Sequence, residues 1–369
     1  MNKKSILYVT LQRALSTKRP HNTPSTKRFT KWLRGKLPAD LQETCFYDAV
    51  GNLHIDARTD ATHRTLFVAH VDTVHNTEGK NSIRKEGDYW HADGAVLGAD
   101  DGAGCALLMH LIHAGTPAYY IFTQGEERGG VGAKHLYDEH KTLLAQFDRA
   151  IAFDRKGLDS VITHQGYGRC CSDAFGNALC AALGQHNDEM MHLNDDTGVY
   201  TDTAEFTEII PECTNISVGY YAEHTQAEKL NTAYYQHLAK AVLTIDWDGL
   251  PTERDPRIVE DKFESYTMYG TSKFDWFGDA SRYGSANSTL YDYRTEELFD
   301  ALINAKEGYA NALAHLIAEC AYPDDPSLCM KHMNMNYLDA HALECALEDI
   351  DVVDTDTLLL DLFDVVHTA

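Results

Sequence analysis

The chain alternates short, uninterrupted apolar runs with stretches that are apolar at helical spacing. Residues 65–70 form such a run, as a parallel strand buried on both faces should, and polar chemistry begins where the run stops. Residues 118–122 and 150–153 repeat the pattern, leading into Glu126 and Glu127 and into Asp154, and 213–218 reads as a further strand leading toward His224. Phe29, Trp32, Leu33 and Leu37 fall at helical spacing, which predicts a helix over 25–37. Leu107, Leu108, Leu111 and Ile112 make one stripe over 102–113, and Gly115 supplies the C-cap. Asn231 is placed to cap a helix carrying Tyr235, Leu238, Val242 and Ile245. A hairpin is predicted from 45–47 through the turn 48–52, with Gly51, to 53–55.

Strands alternating with helices predict an α/β fold: a mixed, mainly parallel sheet flanked by helices. The pattern ends at 251–257, and 266–293 is rich in Tyr, Gly, Ser and Asp with little periodicity. Beyond it, Leu298, Leu302, Ala305, Tyr309, Ala312 and Leu316 recur at helical spacing, and 338–366 is acidic with helical character. The expected division is a catalytic domain over 1–258 with a basic N-terminal arm, an irregular linker over 259–293 and an acidic helical appendage over 294–369.

Composition narrows the partners. A formal charge of -24 repels phosphate backbones and anionic membranes, so neither nucleic acid nor a membrane is expected as a partner. Residues 1–39 depart from this, with no acid and ten Lys or Arg; a basic face docking on the acidic body is the simpler reading, an anion-binding arm the other. No apolar run approaches the ~18 residues of a membrane span, and no apolar core of a signal peptide opens the chain. The nine cysteines form no Cys-x-x-Cys pair and read as reduced thiols. The expected location is the cytoplasm.

Five motifs stand at predicted strand ends, the edge at which loops of open parallel sheets gather ligands. In AHVDTV (69–74), alternation puts His70 and Asp72 on one side, so His70 can bind a metal while Asp72 orients its ring. In LGADDGAG (97–104), two adjacent acids need compensating cations or protons. A helix N-cap would use Asp101 but leave Asp100 unexplained, whereas Asp100 is suited to bridge two metals. In QGEERGGVGA (124–133), Glu126 and Glu127 can divide metal binding and proton transfer between them. AIAFDRKG (150–157) gives Asp154, and GYYAEHTQAEKLN (219–231) gives His224. Oxygen and imidazole ligands without thiolate suit two divalent ions, zinc first, with manganese or cobalt as alternatives.

The ordered set His-x-Asp, Gly-x-Asp-Asp, Glu-Glu, Asp and His resembles the co-catalytic dinuclear zinc exopeptidases, which include bacterial aminopeptidases, peptidase T and acetylornithine deacetylase. The resemblance covers roughly the first 250 residues. It implies that Asp100 bridges two metals, that His70 and Asp154 complete one site, and that Glu127 and His224 complete the other. It also implies Glu126 as general base, Asp72 as the orienting carboxylate and a cis peptide bond between Asp100 and Asp101. Some relatives insert a lid domain between the last Asp and the last His; here only 70 residues separate Asp154 from His224. The likeness is therefore to the lidless, single-domain aminopeptidase type.

The expected function is hydrolysis of a peptide bond, of aminopeptidase type. An N-deacylase, a dipeptidase or carboxypeptidase on the same scaffold, and a degenerate peptidase fold acting as a binding module are the rivals. Tyr220 or Tyr221 can donate to an oxyanion. Asp202 and Glu205 can hold a free amine, and Arg155 and Arg169 a terminal carboxylate.

Overall fold

The computed structural model describes residues 5–165, 168–185 and 191–258. The linker and helical appendage expected beyond 258 lie outside the described residues. Among the described residues, eight strands make one sheet: β1 (Phe46–Tyr47), β2 (Leu53–Asp56), β3 (Thr65–His70), β4 (Tyr119–Thr123), β5 (Arg149–Arg155), β6 (Ser160–Ile162), β7 (Leu193–Asp195) and β8 (Glu212–Ser217). Their order is β7–β6–β8–β5–β3–β4–β2–β1. The central four are parallel, with Val68 of β3 level with Ile121 of β4 and Ala152 of β5. β2 and β1 extend one side as the expected hairpin, and β6 joins the other side antiparallel.

Every residue of β3 and β4 is buried, which explains their unbroken apolar runs. The described helices used below are α1 (Ile6–Leu15), α2 (Pro24–Arg34), α3 (Ala99–Ala114), α4 (Val131–Glu139), α5 (Asp173–Gly184) and α6 (Thr232–Ala241). The helix predicted around Leu107 to Ile112 is α3, which ends on Gly115 at φ 78°. Asn231 caps α6, its side-chain oxygen accepting from the backbone of Ala233 and Tyr234.

The N-terminal segment is the main departure from expectation. Rather than a basic face resting on the body, it begins with α1, whose Leu7, Leu11, Ala14 and Leu15 are buried in the main core against α3. Arg19 is fully buried as well. Its guanidinium donates to the carbonyls of Val71 (2.7 Å), Thr17 (3.2 Å) and Ala14, and lies 4.6 Å from the centre of the Phe29 ring. A net charge cannot distinguish a solvated arginine from one spent on backbone carbonyls. Lys27, Lys31 and Arg34 follow expectation better: with His21, Gln42 and Gln124 they line a cleft of about 670 Å³.

A second, four-stranded antiparallel sheet joins Ile83–Glu86, Tyr89–Ala92, Lys229–Asn231 and Tyr220–Tyr221. It presents the loop that carries His224. No described helix is long and apolar enough to cross a membrane, and the six described cysteines are free.

Candidate metal centre

His70 is the last residue of β3, Asp154 lies near the end of β5, and Glu126 and Glu127 form the turn that follows β4. Parallel pairing of β4, β3 and β5 therefore carries all four side chains to one sheet edge. Asp100 and Asp101 open α3, and the peptide bond between them is cis. His224 reaches the same place from the second sheet, with its backbone in the left-handed region at φ 63°.

The two oxygens of Asp100 separate the site into halves. Oδ1 lies 2.9 Å from His70 Nε2, and Oδ2 lies 3.0 Å from His224 Nε2. On the His70 side, Asp154 Oδ1 is 3.7 Å and Glu126 Oε2 4.0 Å from the same Nε2. On the other side, Glu127 Oε2 is 3.1 Å from His224 Nε2. His70, Asp100 and Asp154 form one group able to hold a cation, and Asp100, Glu127 and His224 form another.

Each ligand is held from behind. The Asp72 carbonyl lies 3.2 Å and its carboxylate 3.6 Å from His70 Nδ1, so Nε2 is the nitrogen left to face the site. Asp72 Oδ1 also accepts from the backbone of Gly125 (2.8 Å) and Glu126 (3.3 Å), tying the end of β3 to the glutamate turn. Asp154 accepts from the hydroxyls of Thr201 (2.8 Å) and Tyr220 (3.1 Å), and Asn215 brackets its backbone. Glu228 accepts three backbone N–H groups, from Gly98, Ala99 and Asp100, and so fixes the strand-to-helix turn. Asp101 turns away and accepts from Gly104, as a helix cap would.

The electrostatics fit cations. Burial and the charge of Asp100 push the Glu127 carboxyl up to about 7. Burial, with the charges of Asp154, Asp202 and Asp100, raises Glu126 well above the carboxylate range although His70 opposes it. Burial works against a charged His70, yet Asp154, Asp100 and Asp72 raise it well above its ordinary value. Burial opposes a charged His224 too, but Asp100 and Glu127 lift it to about 11. No described salt bridge joins Asp100, Glu126, Glu127 or Asp154 to lysine or arginine, and Glu127 Oε1 is buried with no hydrogen-bond partner. A crowd of acids with an orphaned oxygen is the arrangement that divalent cations relieve.

The expected substrate contacts fare differently. In place of facing an oxyanion, the buried Tyr220 spends its hydroxyl on Asp154. Tyr221 lies beside Lys229, whose ammonium is 5.6 Å from its ring centre. Arg155 is occupied by Asp195 and Thr197, and Arg169 by Asp173. Asp202 is buried, accepting from Thr123, with burial pushing it up to about 7. Its other oxygen, Oδ1, is buried with no hydrogen-bond partner. Glu205 stays partly exposed beside the turn, accepting from the Tyr200 hydroxyl at 2.9 Å.

Glu228, Thr201 and Asn215 were not singled out by sequence. Asn215 carried no distinct signal, because Thr214 and Ser217 of the same strand are polar as well. The glutamate turn also depends on Gly132, where a Cβ would stand 2.4 Å from Asn52 Oδ1 and 2.7 Å from both N and O of Gln124. Since backbone cannot swing aside, Gly132→Ala should cost about 1–3 kcal/mol and shift the turn. Chemical denaturation and turnover together check this; an unchanged midpoint and unchanged turnover would show that the turn tolerates the methyl.

A Bacillus subtilis (strain 168) protein named uncharacterized protein YqjE is 29% identical over 161 residues, 40% of this chain and 42% of its own length. The chain thus spans less than half of that relative. Among solved structures, the Pyrococcus horikoshii TET1 peptidase matches with a TM-score of 0.50 at 15% identity, over 64% of this chain and 98% of that one. Aminopeptidase APDkam598 from the archaeon Desulfurococcus kamchatkensis matches with a TM-score of 0.50 at 11% identity, over 65% and 93%. At such identities the likeness is one of fold. The model of Peptidase family M28 matches residues 52–252, a stretch that runs from β2 past α6 and takes in all five motifs. That is more than half of the 369 residues, and the chain belongs to peptidase family M28.

Proposed function

We propose that this metallopeptidase is a dinuclear aminopeptidase, with zinc as the first candidate ion. The observation that carries the reading is Asp100 standing between His70 and His224, one oxygen at 2.9 Å and the other at 3.0 Å. His70 and Asp154 would share one cation with Asp100, and Glu127 and His224 the other. Cations there supply positive charge that acidifies water and polarises the scissile carbonyl.

The chain's own groups do the rest. Glu126, whose Oε2 stands 4.0 Å from His70 Nε2 at the side of the cation group, accepts the water proton and returns it to the leaving amine. Asp72 keeps Nε2 of His70 pointed into the site. Glu205, partly exposed where Asp202 is buried, is the carboxylate we assign to the substrate's free amine. The short interval between Asp154 and His224 supports an open, lidless site. All assigned residues precede 258, so the reading places the reaction in the 1–258 part of the chain.

Metal analysis with a substrate panel tests this. Two ions per chain and cleavage of unblocked aminoacyl p-nitroanilides are expected, with N-acetylated counterparts at least about 100-fold slower. Preference for N-acyl amino acids or for carboxyl-terminal cleavage would replace the aminopeptidase reading by one of its rivals. Full turnover in chelator would remove the metal reading altogether.

A further inference from the structure

Away from the sheet edge just described, a second group of ligand-type side chains gathers between the β1–β2 hairpin and α4. Asp48, His135 and His140 each present a ligand atom, and these lie within 4.8 Å of one another. They line a cleft of about 530 Å³ together with Phe46, Ala49 and Glu139. Asp48 Oδ2 is 3.9 Å from His135 Nε2, and the rings of His135 and His140 have centres 5.4 Å apart. No described hydrogen bond occupies the His140 ring.

The carboxylate is fixed before any ligand arrives. Asp48 Oδ1 accepts from the backbone of Val50, Gly51 and Asn52, and Oδ2 from Asn52 Nδ2 at 2.7 Å. His54 Nε2 stands 3.3 Å behind Oδ2, with its Nδ1 3.2 Å from the Tyr119 hydroxyl. Its side chain is wholly buried. A carboxylate backed by a buried imidazole, with two further imidazoles opening on a cleft, has the chemistry of a transition-metal site.

We propose that Asp48, His135 and His140 bind a third divalent transition ion, with Glu139 lining the remaining side. Ligand atoms around a tetrahedral zinc at ~2.1 Å lie about 3.4 Å apart, so the Asp48–His135 edge of 3.9 Å must close by about 0.5 Å and the other edges, within 4.8 Å, by at most about 1.4 Å. Rotation of the half-buried imidazoles supplies that movement, while the hairpin end stays put.

Position gives the ion a structural role. Asn52, which donates to Asp48, also donates to the carbonyl of Gly132 and accepts from the backbone of Gln124. Gln124 and Gly132 flank the glutamate turn. An ion joining Asp48 to α4 therefore clasps the two sides of that turn from outside, and three protein ligands with an accessible cleft leave it exchangeable.

The test is a zinc count on the full chain without an affinity tag, equilibrated with buffered Zn²⁺. His135→Ala/His140→Ala should hold one ion fewer than wild type, and Zn²⁺ affinity for that ion should fall by more than about 100-fold in His140→Gln. Equal zinc content and equal affinity in wild type and variants would overturn the proposal. If the double variant does not fold, the half-buried His140→Gln change carries the same comparison. The result is independent of the Asp100 centre: loss of zinc there alone would leave the difference between wild type and variant intact.

Discussion

Glu126→Gln is expected to lower kcat by about 10²–10⁴-fold while metal content and KM stay close to wild type. The amide keeps size and shape but cannot accept a proton from water. Glu126 is also the outlying member of its group, its Oε2 standing 4.0 Å from His70 Nε2 where Asp100 stands at 2.9 Å. Glu127 is placed differently. Its Oε2 is 3.1 Å from His224 Nε2, and its Oε1 is buried without a partner. Glu127→Gln should weaken one cation, and excess metal should recover part of the lost activity. Metal content and turnover of both variants decide between the roles. Loss of metal from Glu126→Gln with retention in Glu127→Gln would exchange them. Unchanged turnover in both would mean that this centre is not where the reaction occurs.

The parts that sequence made legible are those where one residue's environment follows from its neighbours in the chain. The strand at 65–70, the hairpin across 46–55 and the Asn231 cap follow from local apolar pattern and turn chemistry, and the structure has them. The five motifs were visible because a parallel sheet converts position in sequence, at the end of an apolar run, into position in space. His70, Glu127 and Asp154 come together for that reason, whereas Asp100 opens α3 and His224 arrives from the second sheet.

What stayed hidden depends on contacts between distant segments. Nothing near Arg19 announces that its partners are the carbonyls of Ala14 and Val71. Glu228 is one acid among 56 until the fold brings it under the backbone of Gly98 to Asp100. Tyr220 stands four residues before His224, and Arg155 next to Asp154, in sequence. Burial of one and the Asp195 contact of the other came from the second sheet and from β7. The group of Asp48, His135 and His140 was equally invisible, because 87 residues separate its first and second members.

Metal removal should do more than stop turnover; it should invert the way stability responds to pH. In the metal-free protein, Glu127, Asp202 and Glu228 are all pushed up to about 7, chiefly by burial. A carboxyl raised in this way holds its proton more tightly folded than unfolded. Its contribution to stability is therefore complete below the ordinary carboxylate range near pH 4 and is lost as pH rises toward 7. His224, at about 11, acts in the same sense: its contribution is complete below the ordinary histidine value near 6.5 and is lost as pH climbs toward 11. Asp100 alone among these is held low by its histidines despite burial, and its contribution disappears only in acid. Between about pH 5 and 8 these site groups together produce a decline, opposed below about pH 6.5 by His75 and His192, which burial lowers to about 4. With cations bound, Glu127 and Asp154 would serve as ligands when deprotonated and His224 when neutral, so rising pH strengthens the metal-loaded fold. Ligand at roughly 1,000 times its Kd adds about 4 kcal/mol, or roughly 8–16 °C in Tm for a domain of this size. Thermal melts at pH 5, 6.5 and 8, each in chelator and in zinc, should show the gap widening from acid to base. A metal-free Tm that rises over that interval, or a gap of constant width, would mean that these acids do not carry the charge that the cations are needed to offset.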